Sequence, residues 1–84
     1  MRIDKFLNAV NITKRRSIAQ DMLASGVVKI GGIAVKPSRD VKVGDIIEIG
    51  YLEKPKFYQV LQIPEQKTIK KNESHLYYKE MDKQ

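Results

Sequence analysis

Five cations, Arg2, Lys5, Lys14, Arg15 and Arg16, fall within the first 16 residues, and their type and spacing suit the binding of anionic oxygen rather than covalent chemistry. Lys14, Arg15 and Arg16 stand where a second helix should begin. A helix start carries free backbone N–H groups and the positive end of the dipole, so it favours carboxylates and disfavours cations. Three cations there break a stability rule with no evident gain in the fold, and a bound phosphate supplies the missing reason. The competing reading is a solvated run that aids solubility. A helical wheel puts Arg16 at the edge of the apolar face and Arg15 in line with it, so Arg15 must project past the helix end or lie over the first helix. Lys29 and Lys36 either extend this patch across a hairpin or serve as solubilising, edge-protecting lysines.

Other chemistry finds little support in the sequence. His75 is the single histidine and the chain has no cysteine, so a metal site or an imidazole base lacks partners, and no cofactor is expected. Asp4, Asp40 and Asp45 read as cap and turn residues, and no Ser-His-Asp arrangement can be argued. The expectation is a protein without catalytic activity and without a small-molecule substrate. Phe6, Tyr51, Phe57 and Tyr58 read as core residues before base-stacking platforms. Tyr77 and Tyr78 either dock on the sheet or anchor a partner.

These cations must be positioned by a small body. At 84 residues with 42% hydrophobic side chains, the chain has material for one modest core and no deep catalytic cleft. The formal charge of +6 favours polyanionic partners. Seven basic and two acidic side chains lie in residues 1–36, four of each in 37–63, and five against four in 64–84, so the positive field belongs to the first half. The opening run mixes charged and apolar residues, which predicts neither a signal peptide nor a membrane span, and a cytoplasmic monomer is expected.

Ile3, Phe6, Leu7 and Val10 recur at helical spacing and predict a first helix with Asp4, Lys5 and Asn8 towards water. Asn11 and Thr13 are turn or cap types. Ile18, Ala19, Met22 and Leu23 predict a second helix that stops at Ser25-Gly26. Val27–Ile30 and Ile33–Lys36 flank Gly31-Gly32 and predict a two-residue hairpin in which Ile30 pairs with Ile33 and Val28 faces Val35. Lys29 and Lys36 then share the outer face. A third strand is expected over Ile46–Leu52 and a last one over Phe57–Ile63, with a polar, Lys- and Glu-rich tail from Pro64 to Gln84. The fold class is α+β, with residues 1–63 forming the domain and 64–84 the tail.

The ordered run Arg2-Ile3-Asp4-Lys5-Phe6-Leu7, Lys14-Arg15-Arg16, Ala19, Gly26-Val27-Val28, Gly32, Val35-Lys36-Pro37-Ser38 and Val41-Lys42-Val43-Gly44-Asp45 resembles the S-four RNA-binding domain of ribosomal-protein type over about residues 1–52. The chain as a whole is similar to stand-alone bacterial members that serve heat shock or ribosome-associated quality control, nearer in tail length to the latter. The resemblance implies the alpha-L motif, two short helices on a small antiparallel sheet, gripping structured rRNA of the large ribosomal subunit, tRNA, or both. It implies a ribosome partner and a role on stalled subunits that carry peptidyl-tRNA, with blocked-subunit handling or subunit assembly as alternatives; the tail with Leu76, Tyr77 and Tyr78 separately offers a protein adaptor. Arg2, Lys5, Lys14 and Arg16 match family positions used against RNA, and Lys36 lies in the matching loop after the hairpin. Asn11 stands where the family often has Arg, Gly31-Gly32 where it often has Asn-Gly, and Arg15 where it often has Ser or Thr.

Overall fold

The apolar stripe of the opening residues forms helix α1 (Ile3–Ala9), with Ile3, Phe6, Leu7 and the following Val10 all fully buried. The structure, a computed structural model, describes residues 1–50 and 54–81. After Val10 the chain reverses at Asn11, a non-glycine residue with φ of 68°, a region that asparagine tolerates better than most side chains. The Leu7 carbonyl accepts from both the Ile12 and Thr13 N–H groups at 3.0 Å, which closes the turn tightly. Helix α2 (Arg16–Ala24) follows and buries Ala19 and Leu23. It ends at Ser25, whose hydroxyl donates to the Met22 carbonyl at 2.9 Å.

Strands β1 (Val28–Ile30) and β2 (Ile33–Ala34) form the expected hairpin, with Ile30 opposite Ile33. Gly31 and Gly32 both take positive φ, 63° and 80°, as a two-residue turn matched to strand twist requires. The Val35 N–H donates to the Val28 carbonyl at 3.2 Å, in the predicted register. Strands β3 (Ile46–Gly50), β4 (Pro55–Val60) and β5 (Tyr78–Met81) complete one antiparallel sheet of order β2-β1-β3-β4-β5. Tyr51 and Leu52, expected in the third strand, lie outside the described residues. Pro55 begins β4, where its missing N–H costs the ladder least.

Val28, Ile47, Ile49, Tyr58 and Val60 are buried on one face of this sheet, and with Phe6, Leu7, Ala19 and Leu23 from the helices they form a single core. The other face carries Lys29, Glu48 and Phe57 in successive register. Two apolar residues depart from the expected pattern. Ile33 is 72% exposed and Ile18 is 41% exposed, the first because β2 is only two residues long and lies at the sheet edge beside the hairpin tip.

The polar segment from residue 64 onward folds back on the body through residue 81, so Phe57–Ile63 does not supply the last strand. Ile69 is buried and its N–H donates to the Ala9 carbonyl at 2.9 Å. A short 3-10 helix (Lys71–Leu76) leads into β5, which pairs with β4 through Val60 opposite Tyr78 and Phe57 opposite Met81. The Tyr58 and Tyr78 rings meet edge to face at 5.4 Å, one of the favoured aromatic geometries. Burial, with the Glu80 carboxylate adding to it, pushes the Tyr78 hydroxyl pKa above its ordinary value. Docking on the sheet is therefore the use the structure makes of Tyr78. Among the described residues no helix is long and apolar enough to cross a membrane.

Candidate nucleic-acid interface

Asp4 organises the corner where α1 and α2 meet. The sequence reading turns this residue towards water as a cap, but its side chain is fully buried. The reason lies twelve to sixteen residues away, on α2. Oδ2 accepts from Arg16 Nη2 at 3.3 Å, from Gln20 Nε2 at 3.2 Å and from Arg2 Nη2 at 3.1 Å, while Oδ1 accepts from the Lys5 N–H at 2.8 Å. A buried carboxylate is tolerable only with such a set of donors. Burial pushes the Asp4 pKa up, yet the hydrogen bonds from Gln20, Arg16 and the Lys5 backbone outweigh it and hold the carboxyl below its ordinary value.

Arg2 is set by the backbone on both sides. It bridges to Asp40, and the neighbouring Ile3 N–H donates to the Arg39 carbonyl at 2.7 Å while the Val41 N–H donates to the Met1 carbonyl at 2.8 Å. The chain's first residue thus lies laced to the loop of residues 37–41, and its amine pairs with Asp40 at 2.8 Å. Arg2 and Arg16 keep their heads nearly half exposed, 46% and 43%, although each touches Asp4. One carboxylate against two guanidiniums leaves a surplus positive charge held at a fixed place. The helix-start cations therefore do have one compensating partner in the fold, for Arg16.

Lys5, Lys14 and Arg15 are exposed and form no ion pair with any described residue. Arg15 precedes α2 in extended conformation, and Thr13 does not cap that helix: its hydroxyl donates to the Arg15 carbonyl at 3.3 Å. Arg2, Lys5 and Arg16 thus gather at one helical corner, with Lys14 and Arg15 in the turn that leads into α2. Lys36 lies beside it, one residue before Pro37, whose carbonyl accepts from the Asp4 N–H. Lys29 lies elsewhere, half-buried opposite Glu48 on the sheet face turned away from the core. This arrangement can neutralise several phosphates along a backbone, and its rigid members are the two arginines held by Asp4.

The sequence reading missed three contributors to this region. Arg39 shares a shallow depression with Lys36. Lys67 lines a groove with Lys5 and Arg16, and Lys71 lines a cleft with Lys14. No periodic or motif signal marks them: Arg39 sits in the loop laced to the first residues, and Lys67 and Lys71 reach the helices only through the return of the C-terminal segment. Among the described residues no group of three His, Cys, Asp or Glu side chains is placed to hold a metal ion.

Comparison with known proteins agrees with this fold. Residues 1–47 match the S4 domain. The chain is 47% identical over 77 residues to the RQC P-site tRNA stabilizing factor of Helicobacter pylori strain J99, with 92% of each chain covered, and 36% identical to the protein of that name from Bacillus subtilis, covering 93% of this chain and 88% of the other. Heat Shock Protein 15 of Vibrio cholerae, solved as a trimer, superposes with a TM-score of 0.86 at 31% identity over 96% of this chain and 81% of that one. The solution structure of a hypothetical protein superposes with a TM-score of 0.84 at 43% identity over the whole of both chains.

Proposed function

The chain belongs to the S4 domain family, and from that premise we propose that it is a non-catalytic protein that binds structured rRNA of the large ribosomal subunit and tRNA during quality control of stalled subunits. The observation that carries this reading is the pair Arg2 and Arg16, both directed by buried Asp4 and both still open to solvent. Guanidiniums fixed in this way lose little freedom on meeting a phosphate, which favours recognition of a rigid, folded backbone by shape. The relatives named for stabilising P-site tRNA support the tRNA half of the proposal. Charge at the helical corner supports the rRNA half through the same phosphate chemistry. Such a partner would place the protein in the cytoplasm.

The test is binding of the purified chain to large ribosomal subunits and to tRNA across a salt series. Affinity should fall with a log–log slope of about −0.9 per neutralised phosphate for duplex RNA-like backbones. Arg16→Ala should weaken binding and flatten that slope, whereas Arg16→Lys should restore much of the slope and less of the affinity. A chain that ignores both partners in dilute buffer refutes the proposal.

A further inference from the structure

We infer that the segment of residues 65–71 is a third wall of the RNA-binding surface, with Lys67 and Lys71 each contacting a backbone phosphate. This rests on the RNA reading above and extends it beyond residues 1–47, the part that matches the S4 domain.

The segment crosses the helical corner at Ile69 and presents a lysine on either side of the crossing. On one side, a groove of about 330 Å³ between α1 and residues 65–68 is lined by Lys5, Asn8, Arg16, Glu65 and Lys67. Its lining side chains, three cations against one carboxylate, sum to +2, of which the buried Asp4 behind Arg16 offsets part. On the other side, Lys14 and Lys71 line a cleft whose remaining lining is uncharged, again +2. Both depressions are open and suit a phosphate with its sugar. The groove combines two cations from the helices, Lys5 and Arg16, with Lys67 of the returning segment, and the cleft combines Lys14, from the turn before α2, with Lys71, so a strand bound at the helical corner meets both sets together.

The wall is held at a fixed distance from the arginines. Ile69 is buried, its N–H donates to the Ala9 carbonyl, and the Asn11 side-chain amide donates to the Ile69 carbonyl at 2.6 Å and to the Ser74 hydroxyl at 2.8 Å. Asn11 lies just past the Val10 cap of α1, so the same turn that separates the two helices also anchors the segment. Lysines on a wall fixed in this way bind phosphate with less ordering cost than lysines on a free tail.

The experiment compares the full-length chain with Lys67→Ala, Lys71→Ala, the double variant and the control Lys79→Ala, using bulk tRNA and vacant large ribosomal subunits as probes. Lys79 lies on β5 opposite Gln59. Each wall variant should weaken binding roughly threefold to tenfold and reduce the salt slope by about 0.9, and the double variant by about twice that. In an Asn11→Ala background, which unties the wall, the cost of Lys67→Ala should shrink, a non-additivity that a double-mutant cycle measures. Wild-type affinity and slope in the double variant, with Arg16→Ala still impaired, would overturn this inference and leave the functional reading standing. An equal loss from Lys79→Ala would overturn it too, since net charge alone would explain the effect. Failure of the unaltered chain to bind either probe removes both.

Discussion

The guanidinium of Arg16, the first residue of α2, donates to the buried carboxylate of Asp4 in the first turn of α1 at 3.3 Å. The bond joins the two helices and at the same time fixes the direction of a cation that remains 43% exposed. Stability and ligand binding therefore share one carboxylate.

Asp4→Asn should separate these roles. The substitution raises the net charge by one, which on charge alone would strengthen RNA binding. Ordering a long side chain costs about 0.5–1.5 kcal/mol, so releasing Arg2 and Arg16 should instead weaken binding about tenfold. Stability should fall by about 1–3 kcal/mol as the charge-assisted bonds are lost, discounted because both arginines can rehydrate. Titration against tRNA and denaturant unfolding measure the two effects, and tighter binding by the variant would contradict the positioning role.

Acid should destabilise the chain partly through the same group. A carboxyl whose folded pKa is lowered contributes stability that is fully present above its unfolded value of about 3.9 and is lost as pH falls through the lower folded value. Asp4 is such a group. The unaltered chain should lose stability below about pH 4 more steeply than Asp4→Asn, in which nothing titrates at that position. Parallel thermal melts between pH 2 and 7 give the comparison, and superimposable acid limbs would argue against it.

The two outlying lysines should behave differently. Lys36 adjoins the loop laced to α1, while Lys29 faces Glu48 on the far side of the sheet. Lys36→Ala should reduce RNA affinity and the salt slope by about one phosphate's worth, and Lys29→Ala should change neither. Filter binding at three salt concentrations decides the matter.

Asn11 should prove a stability residue. Asn11→Ala removes two hydrogen bonds and places a Cβ-restricted side chain at φ 68°, for a loss of about 2–4 kcal/mol. Asn11→Gly removes the same bonds but relieves the backbone, so it should cost about 1 kcal/mol less than Asn11→Ala. Equal losses would assign the whole effect to the amide and none to the turn.

The elements with a strong period were legible in the sequence. The stripe Ile3, Phe6, Leu7 and Val10 specifies α1, and Gly31-Gly32 between β-branched runs specifies the hairpin and its register. Lys14, Arg15 and Arg16 stood out because cations at a helix start violate a local rule, but the carboxylate that holds Arg16 did not. What escaped was stabilised at long range. Asp4 reads as an ordinary surface carboxylate until Arg16 and Gln20 are brought over it, and β5 reads as tail because its residues Tyr78, Lys79, Glu80 and Met81 have no apolar alternation beyond what backbone pairing with β4 supplies. Lys67 and Lys71 escaped with it. A Lys- and Glu-rich composition resembles a solvated segment, yet Ile69, Ser74 and their bonds to Ala9 and Asn11 tie it to the body.

The bond from Asn11 to Ile69 joins residues 58 positions apart, which orders events in the life of each new molecule. At a synthesis rate of about 5–20 residues per second, the opening helices, complete at Ala24, wait roughly 2–9 seconds before Ile69 has even been made. During that interval Arg2 and Arg16 have been made but the strands that complete the core beneath the helices, and Lys67 and Lys71, have not all been, so the full surface arises only when the last quarter of the chain is in place.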